Sequence, residues 1–199
     1  MNLTFSGREV RDLLVAWVVL GVAFAVFFAG GDPISLLQEG PVSALAVSLL
    51  TAGVGFLLHE LGHKVVAVHY GQVAEFRADY SMLVLALLSA FLGFIFAAPG
   101  AVHHRGMLTE RQHGLIALAG PAVNVVLALL FIPLALVVPV GGFLASVANL
   151  GVIINLFLAA FNMIPFGPLD GRKVLAWSKV VYAVFTVPTV GVTVLLILG

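Results

Sequence analysis

His59 and His63 lie four residues apart, and Glu60 follows the first directly. Positions i and i+4 share a helix face, so both imidazoles can reach one metal ion. Glu60 sits one residue round the helix, near that ion but out of line with the two rings. His-Glu-x-x-His in this spacing suits a zinc-dependent hydrolytic centre, in which the histidines ligate and the carboxylate moves a proton at a water. A zinc ion (Zn2+) at such a centre needs a third protein ligand and one open position. The chain has no cysteine, which removes thiolate ligands, disulfides and a cysteine nucleophile together. His69, His103, His104 and His113 fall at or beyond the ends of the apolar runs. Asp170 is the one acidic residue after Glu110, and it sits in a turn broken by Pro165 and Pro168 that lets a side chain point back into a bundle. His59, His63 and Asp170 are therefore the expected zinc ligands. Glu75 and Glu110, both in polar, loop-like stretches, are the rivals for the third place.

The surroundings of these residues are apolar. Of 199 residues, 62% are hydrophobic and 9% charged, and mean hydropathy is +1.18. Soluble domains carry roughly 25% charged residues. The expected class is an all-α polytopic membrane protein, a single integral-membrane domain over residues 1–199 with its catalytic core at about 42–180. A net charge of zero gives no basis for nucleic-acid binding. Five apolar runs read as membrane spans: 13–29, 42–70, 114–138, 143–164 and 180–198. The first has a rival reading as a cleaved signal peptide, against which stands an N-terminal region without net positive charge. The segment up to Pro41 reads as a loop after Gly30, Gly31 and Pro33. Alternation over 73–80 suits a strand, 101–113 reads as a polar link, and 172–179 as a short interfacial helix.

The basic residues give the threading. The nine Lys and Arg side chains avoid 30–41, 139–142 and the C-terminal end. With the N-terminus in the cytoplasm, every one of them falls on or near the cytoplasmic side. That places the metal site toward the cytoplasm, and it requires an even number of crossings between the spans at 42–70 and 114–138. The apolar 81–98 should then not be a simple crossing, although 18 residues would reach roughly 27 Å as a helix; the rival is an ordinary sixth span, which would move 101–113 to the outer face and break the charge bias at Arg105 and Arg111. The expectation is a strand, re-entrant helix, strand excursion over about 73–104. Such irregular backbone is tolerated where protein or water covers it.

Three stretches together resemble the signatures of site-2 proteases, the intramembrane zinc metalloproteases. They are His59-Glu60-Leu61-Gly62-His63, then Gly120-Pro121-Ala-Val-Asn124, and Asn162-Met-Ile-Pro165-Phe-Gly-Pro-Leu-Asp170-Gly171. The resemblance implies His59, His63 and Asp170 as zinc ligands and Glu60 as the catalytic carboxylate, with Asn162 and Asn124 beside the site. It implies regulated hydrolysis of peptide bonds within transmembrane segments of membrane protein substrates, in the lipid bilayer. Pro99-Gly100-Ala-Val102 resembles the family's membrane-inserted hairpin, which receives substrate as an added strand. The chain departs from that pattern in its long apolar 81–98 and in lacking the PDZ or CBS modules of many members. Physically, the neutral amides of Asn162 and Asn124 can donate to an oxyanion without adding charge, or can join helices by hydrogen bonds. Asn155, seven residues before Asn162, shares its helix face.

Two other classes use the same residue types. A divalent-metal transporter would distribute His and acidic ligands along a path through several spans, whereas here they gather at one level. A catalytically silent membrane regulator would keep the fold without the chemistry. An aspartyl intramembrane protease needs two facing aspartates, and a serine type needs a Ser–His pair within the spans; neither pattern is present in the sequence.

Overall fold

The computed structural model describes residues 3–95 and 99–198. It contains α1 (Gly7–Phe28), α2 (Pro33–Glu39), α3 (Pro41–Ser48), α4 (Val54–His69), β1 (Val73–Ala78), α5 (Tyr80–Phe91), β2 (Gly100–Arg105), α6 (Glu110–Val137), α7 (Phe143–Asn162), α8 (Asp170–Trp177) and α9 (Lys179–Leu198). A π-helical turn, Leu49–Gly53, joins α3 to α4, so that Pro41–His69 runs as one long helix. Five helices are long and apolar enough to cross a membrane: α1, the α3–α4 helix, α6, α7 and α9. The small sheet is a single antiparallel pair, β1 with β2. This is the all-α polytopic architecture expected from the sequence.

Local chemistry sets the helix ends. Ser6 caps α1 by accepting from the Glu9 N–H. Thr109 and Gln112 form a reciprocal capping box at the start of α6, so this helix begins inside what the sequence suggested was a polar link. The same link also contains β2. The expected loop before Pro41 is in fact α2. Asp32 accepts from the Ile34 and Ser35 N–H groups, Pro33 supplies a preset first turn, and Gly40 at φ 103° releases the chain into the next helix. Gly30, Gly31 and Pro33 were read as breakers, yet Pro33 here starts a helix.

The long helices pack closely where side chains are small. A Cβ on Gly62 of α4 would stand 2.9 Å from Val123 Cγ2 and 3.1 Å from the Ala119 carbonyl of α6. Gly55 of α4 meets Asn155 of α7 in the same way, at 2.7 Å. In the π turn, the Trp17 indole of α1 donates to the Leu49 carbonyl at 3.1 Å. A Cβ on the neighbouring Gly53 would lie 2.6 Å from Trp17 Cδ1.

The 81–98 stretch makes the excursion the charge map required. β1 and β2 pair in register from Val73↔Arg105 to Ala78↔Gly100. The Asp79 N–H then donates to the Pro99 carbonyl at 3.0 Å. The chain thus leaves the hairpin and rejoins it at one level. Between these points α5 runs along α1 in the same direction. The Tyr80 hydroxyl donates to Asp12, and the carbonyl of Phe91 lies close to Gly31, 2.7 Å from where a Cβ there would stand. At 12 residues, α5 is about 18 Å long, short of a ~30 Å hydrocarbon core. Ile95, on the return, packs with Phe24 and Ile154. Residues 96–98 of the predicted excursion lie outside the described residues.

Because the protein has no native cysteine, single variants report sidedness cleanly. Val73→Cys and Arg105→Cys flank the excursion and are expected to react with an impermeant maleimide from the same side of the membrane. Labelling from opposite sides would mean that the segment crosses.

Candidate metal centre

The α4 helix carries His59, Glu60 and His63, whose ligand atoms lie within 4.8 Å of one another, all buried. Asp170, the first residue of α8, faces them. Its Oδ2 is 3.3 Å from His59 Nε2 and 3.2 Å from His63 Nε2, and the two Nε2 atoms are 3.0 Å apart. Donors about 2.0–2.1 Å from a tetrahedral ion stand roughly 3.3–3.4 Å from one another. The three atoms therefore form nearly one face of a zinc tetrahedron. Glu75 and Glu110 do not join them. Glu75 accepts from Ser6 and pairs with Arg77 at 2.6 Å, and these two partners hold its carboxyl below the ordinary range. Glu110 is exposed in the first turn of α6.

Both imidazoles are oriented from behind. His59 Nδ1 donates to Asn124 Oδ1 at 2.6 Å, and His63 Nδ1 donates to the Ile116 carbonyl at 2.7 Å. With the protons on Nδ1, each Nε2 presents a lone pair to the centre. The Ile116 carbonyl lies in the second turn of α6, which packs against α4 at this level. Two lone pairs and a carboxylate converging at 3.0–3.3 Å repel one another unless a cation lies between them. The donor set and its spacing fit zinc.

Two glycines are shaped to this arrangement. A Cβ on Gly120 would lie 2.5 Å from Nε2 of both histidines. Gly120 therefore forms the floor of the centre. A Cβ on Gly171 would collide with the backbone of Met163, so the Leu169-Asp170-Gly171 turn presses directly against the end of α7.

The asparagines divide their work. Asn124 is fully buried, and besides accepting from His59 it donates to the Gly55 carbonyl at 3.0 Å and to Asn155 Oδ1 at 2.9 Å. Both of its amide hydrogens are committed, which leaves none for an oxyanion. Asn155 in turn donates to the Gly151 carbonyl at 2.8 Å, and so anchors Asn124 from α7. Asn162 donates once, to the Leu158 carbonyl at 3.0 Å, and keeps one amide hydrogen while lining the cavity in front of the donors. That cavity is walled by Phe157 and Phe161 of α7, Pro168 and Leu169, Lys173 of α8, and Gly100 to Val102 of β2. Glu60 opens onto it. Among the described residues, Glu60 Oε2 has no hydrogen-bond partner, and the Val102 backbone of β2 interacts with the same carboxylate. Sequence reasoning did not single out Lys173, the cationic side chain of this wall. Its position one turn after Asp170 was the available signal.

The chain is 41% identical over 189 residues to the "Putative zinc metalloprotease MJ0611" of Methanocaldococcus jannaschii, a match that covers 94% of this chain and 93% of that one. It is 33% identical to the "Putative zinc metalloprotease Rip2" of Mycolicibacterium smegmatis, over 88% of this chain and 74% of that one. The "Putative zinc metalloprotease YwhC" of Bacillus subtilis is 29% identical over 68% and 70% of the respective chains. No family model matches the chain, and no solved structure matches it significantly.

Two substitutions test the centre. Gly120→Ala is expected to abolish stoichiometric zinc binding, because the added methyl overlaps both ligating nitrogens. Asn124→Ala is expected to weaken zinc binding by about 10–100-fold, read by competition with a chromophoric chelator. Unchanged affinity would remove Asn124 from the support of His59.

Proposed function

The chain belongs to the family of these zinc metalloproteases, and we propose that it acts as a site-2 protease, hydrolysing peptide bonds within transmembrane segments of other membrane proteins. One observation carries the reading. A three-donor metal face and a buried carboxylate with one oxygen left unpartnered among the described residues open on the same cavity, inside a bundle of helices long enough to span a bilayer. The charge distribution supports an N-terminus and an active site toward the cytoplasmic side.

In this reading His59, His63 and Asp170 hold zinc. When bound, zinc supplies Lewis acidity, polarising a carbonyl and bringing the pKa of a water toward ~7. Glu60 takes a proton as the water oxygen adds to the scissile carbonyl carbon. It returns that proton to the amine nitrogen as the carbon–nitrogen bond breaks. The free amide hydrogen of Asn162 donates to the oxyanion. A buried carboxylate with Oε2 free among the described residues is suited to this traffic, because no competing hydrogen bond at that oxygen must break first.

A helix hides its scissile carbonyl in its own hydrogen bonds, so the substrate must be extended where it is cut. Among the described residues β2 has a partner strand on one side only, and its Gly100–Val102 stretch borders the cavity. An unwound substrate segment satisfies its backbone groups by adding to that edge, as peptides do on other exposed sheet edges.

Glu60→Gln, purified with zinc retained, is expected to cut a model transmembrane substrate at least about a hundredfold more slowly; undiminished cleavage sinks the assignment of Glu60. Asp170→Ala is expected to lose zinc, whereas Glu75→Ala and Glu110→Ala keep it, as measured by elemental analysis of the purified variants.

A further inference from the structure

Behind the hairpin lies a second buried ionic cluster that the chemistry above does not use. Lys64 follows His63 directly, and its side chain is 1% exposed. Its Nζ lies 2.5 Å from Glu9 Oε2 and donates to the Thr4 carbonyl at 2.6 Å. The other Glu9 oxygen, Oε1, accepts from the Phe76 N–H of β1 at 2.9 Å. One turn along α1, Asp12 accepts from the Ala78 N–H at 3.4 Å and from the Tyr80 hydroxyl at 2.8 Å. One turn back, Ser6 donates to Glu75. Spacing of three puts Ser6, Glu9 and Asp12 on one stripe of the helix, and that stripe lies along β1.

The register shows what the stripe covers. The Asp79 N–H donates to Pro99 of the returning strand, and amides alternate in direction along a strand. The odd-numbered amides of β1 therefore face β2, while those of Phe76 and Ala78 face away. Glu9 and Asp12 accept from these two outward amides. A two-stranded hairpin has two open edges, and α1 closes one with carboxylates. Among the described residues, the edge without a partner strand is β2, beside Glu60.

We propose that Glu9 is a positioning residue for peptide cleavage. It bridges Lys64 on the catalytic helix to Phe76 on β1, which fixes the hairpin over Glu60. Together with Asp12 it seals β1, so that an extended substrate segment pairs with β2 alone. The proposal rests on the protease reading above. The bridge is well made for a buried ion pair, because Lys64 and Glu9 each make a further hydrogen bond, without which burial of the charges would destabilise the fold.

Removing one charge would strand the other, so the test compares two neutral pairs in the full-length, zinc-loaded protein. Glu9→Gln with Lys64→Met keeps a carbonyl acceptor for the Phe76 amide; Glu9→Leu with Lys64→Met does not. Both are expected to retain zinc and near-native kcat. The Leu pair is expected to raise KM for a transmembrane substrate about tenfold over the Gln pair, and to speed amide exchange over 73–78 and 100–105 by a similar factor. Equal KM and equal exchange in the two pairs overturn the proposal, and so does loss of zinc in the Leu pair alone, which would mark a merely structural role. If neither pair folds, Asp12→Asn against Asp12→Leu makes the same comparison at Ala78 with the Lys64 pair intact, and equality there overturns it. Exchange is measured without substrate. If the wild-type protein cleaves no transmembrane segment, the protease reading fails while exchange still decides whether Glu9 holds the hairpin.

Discussion

Histidine, aspartate, glutamate and lysine side chains lie buried in this protein among Leu, Val, Phe and Ala. In such surroundings a polar atom without a partner is costly, and a charge more so. The polar groups around the metal centre are therefore placed by what they bond to, and the architecture follows those bonds. His59 needs an acceptor behind it, so α6 brings Asn124, which in turn needs Asn155 on α7. His63 uses a backbone carbonyl of α6, that of Ile116. Three long helices are thus locked together by requirements that begin at two imidazoles. Close approach of the backbones, at Gly55, Gly62 and Gly120, is what brings such short bonds within reach.

The front of the centre is built differently from the back. Behind the histidines everything is helix, tied by hydrogen bonds between spans. In front stand short pieces: a proline-broken turn carrying Asp170, the one-turn reach of Lys173, and the hairpin with its apolar excursion. A helical floor holds the donors from behind, while the cavity in front of them is walled by the less regular backbone of β2 and of the Pro168–Leu169 turn. The two parts meet at Glu60, which belongs to α4 and faces β2.

Much of this was legible in the residues. The five spans came from hydropathy, and the three donors from residue types that are scarce in apolar sequence. The excursion at 81–98 came from charge alone: Arg105 and Arg111 would otherwise have fallen on the wrong side, and local pattern could not separate a short helix from a crossing. The misses share a cause, which is that the partner was distant or the signal ambiguous. Glu9 and Asp12 sit beside Arg8 and Arg11 and read as a solvated end; that they are buried depends on amides 67 and 66 residues away. Lys64 counted toward a basic edge, although its partner lies 55 residues upstream. Asn124 carried an amide that could serve an oxyanion or a histidine, and only the neighbours Gly55 and Asn155 decide. The helix over 33–39 was hidden because Asp-Pro after two glycines serves equally as a turn and as a helix start.

The π turn before α4 bears on how such a chain can change over time. A π turn accommodates one residue more than the α-helical repeat allows, and each residue turns a helix by about 100°. The face of Pro41–His69 upstream of Leu49 and the face that carries the histidines are therefore phased separately, with the Trp17 indole bonded to the carbonyl at the junction. Losses or gains of a residue in the half upstream of Leu49 can be absorbed at the junction, without re-aiming His59 and His63. The metal-bearing half is thereby insulated from drift in the lipid-facing sequence that leads into it, and one half of the helix can adapt to a membrane while the other keeps its chemistry.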